Sequence, residues 1–526
     1  MEQKSNEMIE IKSIAKKIKY IYNKIKYPIE FIIMLVFFIC IYNLITTKAY
    51  EGYWSKKILM QTAIPTILAF ASLIYNCIQD KYKIENMFLN FAIPVGISFI
   101  VFMLPTYTPD ASSHLWRAYE ISGGILITKI DENGEAKTTV PEIMSINRET
   151  VLTKYNVLNE LLDSEEAKDY NKTTQVDSPS KGYAFVFFIG YAIGLFAARL
   201  LSLNIFVGLL LARLVNFIIV LILGYYAIKK IPFGKILLTT YLMIPMMMQQ
   251  ATAFSADSLM NATIILFISY VLYLAFKKEE ILKYEKIIFL ILSAFVGLSK
   301  ITYLPLMGIA LIIPKHKKEM PKKEIIILAV LTLVICCGSM LVLNICTRRY
   351  TNESAEKYLE SAGVNSSEQL SGIISNPLNY LKVLDNDFKV NGEFYTFNFI
   401  GQYMGWLSIT VPVGYIILYI IILLASIFIE NNKQVLDWKE KTWMVVLALG
   451  MDILVVTGLY LEWTGVGKMS VAGVQGRYFL PTTILLLLSI CKKENYVKIK
   501  CPNVVVPAVS LCVNMMFISK VILFFI

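Results

Sequence analysis

The feature that most constrains the fold of this chain is a series of apolar runs about as long as a bilayer is thick. A helix needs about 20 mainly apolar residues to cross the hydrocarbon core of a membrane. Runs that approach or reach this length lie at residues 28–46, 57–77, 87–104, 205–227, 236–253, 258–276, 287–298, 303–313, 325–345, 408–429, 443–461, 478–490 and 504–526. The sequence therefore predicts an all-α polytopic membrane protein with about thirteen transmembrane helices.

Composition supports this class and excludes others. The 526 residues are 56% hydrophobic and 17% charged, which is too apolar for a soluble globular protein. The net charge of +11 comes from lysines in short loops between apolar runs, so it indicates topology and the lipid bilayer as a partner, with no nucleic acid. The eight cysteines lie in or beside apolar runs without metal-ligand spacing, and we expect neither a disulfide framework nor a zinc site.

The positive charges also predict how the chain threads the membrane. Residues 1–27 have isoleucines at helical spacing among lysines, which is typical of a basic cytoplasmic interfacial helix. An extra transmembrane hairpin at 28–86 precedes the main membrane domain, 87–526. Basic loops at 229–235, 277–286, 315–323, 433–441 and 492–500 all fall in the cytoplasm only if the apolar run 183–201 does not cross the membrane. We therefore expect 183–201 to lie along or dip into the external interface.

Two long loops then face outward, at 105–204 and 346–407. Within the first, residues 125–130 and 136–140 flank an Asn-Gly pair at 133–134, a pattern that predicts a β-hairpin. Residues 149–170 look helical and polar. Loops of this length are far longer than ordinary connections and are often functional.

Three side chains capable of chemistry follow the third apolar run. Asp110, His114 and Arg117 are spaced i, i+4 and i+7, which would place them on one face of a helix that begins near Asp110. Asp110 is also well suited to cap that helix, and the two roles are compatible, because a capping acid stays ionised.

Further polar residues reach the same external side from distant segments. Asp257 follows one span, Lys300 lies in the next external turn, and Gln475, Arg477 and Tyr478 precede a late span. Local roles remain open for each charge: capping for Asp257, snorkelling for Lys300 and interfacial anchoring for Arg477. Because charges at membrane depth are costly, their joint arrival on one face favours a functional site.

The chemistry that suits these residues is sugar transfer from a lipid. Nucleotide sugars are generally absent outside the cytoplasmic membrane, so the expected donor is a polyprenyl-phosphate-linked sugar. Asp110 would accept the proton of the acceptor hydroxyl, and Arg117, Lys300 and Arg477 would hold the departing phosphate. Asp257 would orient the acceptor or, with Asp110, bind a divalent cation such as Mg²⁺ or Mn²⁺.

Four motifs give the chain a family resemblance. They are Pro-Asp-x-x-x-His-x-x-Arg-Ala-Tyr-x-Ile-Ser-x-Gly at 109–124, Ser-Ala-Asp-Ser at 255–258, Gly-Leu-Ser-Lys at 297–300 and Gly-Val-Gln-Gly-Arg-Tyr-Phe-Leu-Pro at 473–481. In combination and order they resemble domain of unknown function 2142, a bacterial family of membrane proteins. The similarity runs from about residue 88 to the last spans.

This resemblance implies a GT-C-like architecture, that of the multi-spanning glycosyltransferases. It implies catalytic acids at Asp110 and Asp257. The residues themselves lead us to expect substrate binding by His114, Arg117, Lys300, Gln475, Arg477 and Tyr478. The resemblance also implies inversion at the anomeric carbon. One departure is that the family usually has a second acid directly after the first, where this chain has Ala111. This departure favours a metal-independent transfer that rests on Asp110.

The function expected from these observations is glycosyl transfer to a cell-envelope glycan or teichoic acid-type polymer on the external face. The richness in Lys, Ile and Asn is typical of a low-GC bacterium, whose cytoplasmic membrane would hold the protein. Two alternatives remain open: a polysaccharide polymerase or ligase, which would consume a lipid diphosphate oligosaccharide, and a lipid or polysaccharide flippase. A non-enzymatic envelope scaffold is a further class.

Overall fold

The part of the chain that the structure describes is mostly helical, with two small two-stranded sheets. The computed structural model describes residues 13, 16–20, 82–128, 137–145, 164–177, 179–347 and 359–525. The predicted interfacial helix at 1–27 lies mostly outside these residues, and the spans 28–46 and 57–77 lie wholly outside them. The elements used below are α1 Ile84–Phe102, α2 Ala111–Ser122, β1 Lys137–Pro141, β2 Thr173–Asp177, α3 Ile189–Leu200, α4 Ile205–Lys230, α5 Lys235–Leu242, α6 Pro245–Thr252, α7 Ala256–Phe276, α8 Lys283–Gly297, α9 Ile312–His316, α10 Lys322–Thr347, α11 Ser366–Ser375, α12 Pro377–Ile400, β3 Tyr403–Met404, β4 Ile409–Thr410, α13 Val413–Ile429, α14 Trp438–Trp463, α15 Thr483–Ile490 and α16 Pro502–Phe525.

Six of the described helices are long and apolar enough to cross a membrane, namely α1, α4, α7, α10, α14 and α16. The sequence predicts more spans, and several of these take another form. The run 236–253 is divided into α5 and α6 by Pro245, which has no N–H to donate and begins the second helix. The run 303–313 lies within a 3₁₀ helix, Ile301–Leu311, that contains Pro305 and leads into α9.

The basic loops gather at one end of the helix bundle. The contacts that join them are Gly234 with Asn432, Asn432 with Lys493, Lys315 with Asp437, and Lys317 with the carbonyl of Lys277. Lys277 directly follows α7, whereas Asp257 lies in the first turn of the same helix. Twenty-one helical residues rise about 32 Å, close to the thickness of a hydrocarbon core. The basic loops and Asp257 therefore lie at opposite ends of the bundle.

The predicted β-hairpin is wrong in its pairing. The strand expected at 136–140 is present as β1, but it pairs antiparallel with β2, with Lys137 opposite Asp177 and Pro141 opposite Thr173. Residues 125–128 form no strand. The carbonyls of Ile125 and Leu126 instead accept hydrogen bonds from the guanidinium of Arg117, so they are not available to a strand ladder. The predicted turn at 133–134 and most of the predicted helix at 149–170 lie outside the described residues.

The second long loop contains α11, α12 and the strand β3, which pairs antiparallel with β4. Helix α12 holds the segment that leads to Arg477. The carboxylate of Asp387 accepts a hydrogen bond of 2.8 Å from the N–H of Val471, and the side-chain oxygen of Asn398 accepts one of 2.9 Å from the N–H of Gly476. These two bonds fix the register of the 471–476 segment against α12.

The apolar run 183–201 forms a short 3₁₀ turn, Phe185–Phe188, followed by α3. Phe185–Leu200 is shorter than the six helices that can cross a membrane. It packs closely on α4, where a Cβ on Gly194 would lie 2.4 Å from the Cα of Ala212. Near its other end, Arg199 donates to the carbonyl of Ser122 at the end of α2. Helix α3 therefore packs beside both α2 and α4, and its predicted interfacial position stays a prediction.

Candidate functional site

Four charged side chains from four distant segments meet at the end of the bundle opposite the basic loops. Lys300 Nζ lies 2.8 Å from Asp257 Oδ1, and Arg477 Nη2 lies 3.7 Å from Asp110 Oδ2. The ring of Tyr478 joins the two pairs, because Lys300 Nζ and Arg477 Cζ lie 5.3 Å and 5.2 Å from its centroid. The structure thus brings together Asp110, Asp257, Lys300 and Arg477, called here the charged cluster.

Asp110 holds a special backbone position. Helix α2 begins at the next residue, as predicted, and Asp110 occupies its N-cap position with φ +62° and ψ +10° in the left-handed region. Its side chain makes no capping hydrogen bond, so the capping role expected of the carboxylate is not seen. The carboxylate is instead 61% exposed, and it faces Arg477. A left-handed N-cap turns this side chain away from the helix and toward the charged cluster.

Asp257 is held by the start of α7. Ser255 is the N-cap, and its hydroxyl accepts a hydrogen bond from the N–H of Asp257. The hydroxyl of Tyr191 on α3 donates to the carbonyls of Ala253 and Ser255, which fixes the approach to this helix. Asp257 is consequently placed by local capping and by long-range contacts, and its own carboxylate remains directed at Lys300.

Lys300 lies between α8 and the 3₁₀ helix that follows. Gly297, at the end of α8, allows α10 to pack close to it, because a Cβ there would lie 2.2 Å from the carbonyl oxygen of Cys336 on α10. Burial lowers the pKa of Lys300, but Asp257 and the nearby tyrosines outweigh burial and raise that pKa well above its usual range. The ammonium therefore stays charged, and its position between the rings of Tyr183 and Tyr478 suits a desolvated cation.

Arg477 is buried, yet its guanidinium makes few and long contacts with other protein groups. Its side chain is 7% exposed, and its Nη2 lies 3.5 Å from the hydroxyl of Tyr478 and 3.7 Å from Asp110, both long contacts. Within the described part of the chain, Nε of Arg477 and Oε1 of the neighbouring Gln475 have no hydrogen-bond partner. A buried guanidinium with donors to spare is a ready site for an anion.

His114 lies at the base of the cluster as a neutral imidazole. It is buried against the rings of Tyr183 and Phe188, with centroids 5.4 Å and 5.6 Å away. Burial lowers its pKa from 6.5 to about 4, and Asp257 and Asp110 oppose this shift only in part. Its Nδ1 has no hydrogen-bond partner among the described residues. At neutral pH it can exchange hydrogen bonds with a ligand but adds no positive charge.

Arg117, by contrast, does not join the charged cluster. Its guanidinium pairs with Glu120 at 2.6 Å and donates to Thr128 and to the carbonyls of Ile125 and Leu126. The i, i+7 argument fails here, because Asp110 is left-handed and its side chain does not follow the helical path that the spacing assumes. Substrate binding by Arg117 is therefore not supported at the cluster, and it stays a prediction for the neighbouring region.

Arg213, within α4, is a positioning residue. It is 1% exposed and donates to four backbone carbonyls, those of Phe99, Ile100 and Met103 at the end of α1 and that of Thr252 at the end of α6. The segments that follow these carbonyls carry Asp110 and Asp257. Arg213 thus ties together the backbones that supply both acids of the cluster.

Tyr183 is a site residue that sequence reasoning missed. Its ring lies beside His114, and Lys300 Nζ is 5.9 Å from its centroid. It is the first residue of the apolar run 183–201, where a tyrosine is ordinarily interpreted as an interfacial aromatic. No local signal separates the two roles, because its place beside Lys300 depends on the approach of segments more than a hundred residues apart.

The donor set does not fit the divalent cation that the sequence allows. Asp257 lies 2.8 Å from Lys300 and Asp110 lies 3.7 Å from Arg477, so a metal ion would compete with a cation for each carboxylate. The position that the family resemblance gives to a further acid holds Ala111, which is 1% exposed. Among the described residues, His, Cys, Asp and Glu form no group of three or more that could hold a metal ion.

Comparison with known proteins identifies the family. A family model described as Predicted membrane protein (DUF2142) matches residues 93–487, about three quarters of the chain. The chain therefore belongs to this family, as the four sequence motifs indicate. No curated protein and no solved structure matches it. The matched range contains Asp110, Asp257, Lys300 and Arg477, and hence the whole charged cluster.

Proposed function

We propose that this protein is an integral membrane glycosyltransferase of GT-C type, which moves a sugar from a polyprenyl-phosphate donor to a cell-envelope glycan or teichoic acid-type acceptor. The observation that carries the proposal is the charged cluster: two acids and two cations from distant segments, at the end of the bundle opposite the basic loops. By the positive-inside rule, that end is the external one. A bacterial cytoplasmic membrane is the proposed location, with a cytoplasmic N-terminus.

The two acids of the cluster suit different tasks. Asp257 is paired at 2.8 Å with Lys300 and is 18% exposed, so it is best suited to orient Lys300 and the acceptor. Asp110 is 61% exposed and only loosely paired with Arg477. An exposed carboxylate on a fixed backbone can approach an acceptor hydroxyl, which makes Asp110 the general base. Its departure from the helical path thus serves the reaction.

The cations suit the leaving group. With His114 neutral, the charges of the cluster sum to zero before the donor enters. In the proposed step the acceptor oxygen forms a bond to the anomeric carbon, and its proton passes to Asp110. The bond from that carbon to the phosphate oxygen breaks, and the lipid phosphate keeps the electron pair. Lys300 and Arg477 stabilise the negative charge that develops on this phosphate, and attack opposite to it inverts the anomeric centre.

The test is transfer by the purified protein in nanodiscs, with a panel of polyprenyl-phosphate sugars labelled in the sugar. The expected result is label in a glycan or teichoic acid-type acceptor, with release of polyprenyl phosphate. Consumption of a lipid diphosphate oligosaccharide in place of these donors would identify a polymerase or ligase instead. Release that is unchanged in Asp110→Asn would contradict the proposed base.

A further inference from the structure

A mostly apolar cavity of about 120 Å³ lies next to the charged cluster. Three segments enclose it: residues 126–128 after α2, residues 181–185 before α3, and the last turns of α10. Leu298 at the end of α8 closes it from the side of Lys300. The structure thus places a pocket, called here the side cavity, between the long loop and a membrane-spanning helix.

Tyr183 is shared by the side cavity and the cluster. It lines the cavity, and the same ring lies beside His114 and within 5.9 Å of Lys300 Nζ. A molecule in the cavity would therefore be one aromatic ring away from the proposed reaction centre. This adjacency makes the cavity a part of the substrate path and not a remote void.

Two buried cations mark the polar side of the cavity. Arg117 and Lys181 both line it, and they are 3% and 4% exposed. Although the terminal nitrogens of Arg117 are bonded, its Nε has no hydrogen-bond partner in the described residues. Burial lowers the pKa of Lys181, and Glu120 and Asp177 oppose this only in part. A phosphate nearby would find charge-assisted donors at this side.

The opposite side of the cavity opens toward the bilayer. Val342 lines it and is nevertheless 61% exposed, and its neighbours Leu341 and Ile345 on α10 are 56% and 74% exposed. Exposed apolar side chains on a spanning helix face lipid. The occupant can therefore enter from the membrane, with a long apolar tail left along α10.

The volume limits what fits inside. An apolar cavity of about 150 Å³ holds a benzene molecule, so the side cavity holds about one short branched apolar unit. We propose that it seats the isoprene unit nearest the phosphate of a polyprenyl-phosphate carrier. The phosphate then lies between the cations that line the cavity, Arg117 and Lys181, and those of the charged cluster, Lys300 and Arg477. This inference rests on the proposed function and adds the binding site of the lipid part of the donor.

The test is photolabelling in nanodiscs by polyprenyl phosphate with a diazirine on its first isoprene unit, which requires no turnover. Val342→Trp fills the mouth of the cavity. Val334→Trp is the matched control, because Val334 lies on the same helix, is equally exposed at 61%, and does not line the cavity. We expect label on peptides that span 181–185 and 342–347, at least tenfold less label in Val342→Trp, and unchanged label in Val334→Trp.

The head group and the type of lipid are tested by competition. Unlabelled polyprenyl phosphate should displace the probe, and phosphatidylglycerol should not. Lys181→Met should weaken competition by polyprenyl phosphate severalfold, and it should leave competition by polyprenol, which has no phosphate, unchanged. Equal labelling of the two tryptophan variants, or equal competition by phosphatidylglycerol, would overturn the assignment. Cavity labelling without transfer from any lipid sugar would refute the proposed function alone, whereas transfer without cavity labelling would refute only this inference.

Discussion

Replacement of Asp110 by Asn separates chemistry from folding with unusual clarity. The backbone of Asp110 is left-handed at φ +62°, and Asn is among the residues that accept this conformation. Its carboxylate is 61% exposed, and its ion pair with Arg477 is long at 3.7 Å. A long pair with one partner exposed to water is screened much as a surface pair is, and surface pairs contribute about 0–1 kcal/mol. We therefore expect Asp110→Asn to change the free energy of unfolding by less than about 1 kcal/mol.

The effect of Asp110→Asn on transfer should be far larger. An amide cannot take the proton of the acceptor hydroxyl, and a positioned general base typically contributes a factor of about 10²–10⁴ to the rate. That factor corresponds to about 3–5 kcal/mol in the activation barrier. We expect kcat to fall by this factor while the KM for the lipid donor changes little, because in the proposed mechanism Lys300 and Arg477 hold the donor phosphate. Steady-state kinetics in nanodiscs measure both quantities.

Two further variants at Asp110 serve as controls. Asp110→Gly relieves the left-handed backbone, and Asp110→Ala retains it at a cost of about 1–2 kcal/mol. If the carboxylate is the base, all three variants lose transfer, but only the alanine variant loses appreciable thermal stability in detergent. Activity within twofold of the parent protein in Asp110→Asn, or activity that follows stability across the three variants, would refute the reasoning.

Three further predictions concern the cluster and its support. Arg477→Lys keeps the charge but loses the planar donors, so kcat/KM for the lipid donor should fall about tenfold or more, and unchanged kinetics would contradict its role as a phosphate ligand. Burial lowers the pKa of His114 from 6.5 to about 4. Between these two pH values the native state binds fewer protons at His114 than the unfolded state does. Stability is therefore lost as the pH falls from about 6.5 toward 4. His114→Gln should therefore lose less Tm between pH 7 and pH 5 than the parent protein, and an equal loss would show that another group is responsible. Gly476→Ala should lower Tm, because the added Cβ would lie 2.2 Å from the carbonyl oxygen of Tyr395. Gly414→Ala is the control and should leave Tm unchanged, because the space around its added methyl group is open. Similar Tm shifts in the two variants would contradict the packing argument.

The parts of the fold that sequence reasoning predicts are those set by local composition. Helix α2 begins directly after Asp110, as its spacing indicates, and β1 lies within one residue of the predicted strand. The pairing of β1 fails because strand partners depend on distant segments. Here the carbonyls of Ile125 and Leu126 are taken by Arg117, and β2 supplies the ladder instead. Proline breaks such as Pro245 divide an apolar run whose hydropathy alone indicates one span.

The candidate site was predictable in its charges but not in its geometry. A charged side chain at membrane depth is costly in free energy whatever its partner, and this cost marks Asp257, Lys300 and Arg477 as functional candidates. Three residues far apart in the chain could therefore be assigned to one site. Which cation faces which acid is a tertiary property. The sequence does not reveal that Lys300 pairs with Asp257 at 2.8 Å, or that Tyr183 separates this pair from the side cavity.

Three buried arginines show what the structure adds to such reasoning. The sequence does not reveal which of Arg117, Arg213 and Arg477 finds its hydrogen-bond partners within the protein. In the fold, Arg213 is satisfied by four backbone carbonyls, and the terminal nitrogens of Arg117 by Glu120, Thr128 and two carbonyls. A buried charge must recover its lost hydration through such partners. Arg477 recovers little of it among the described residues, having contacts of 3.5 and 3.7 Å, so of the three it gains most from an incoming anion.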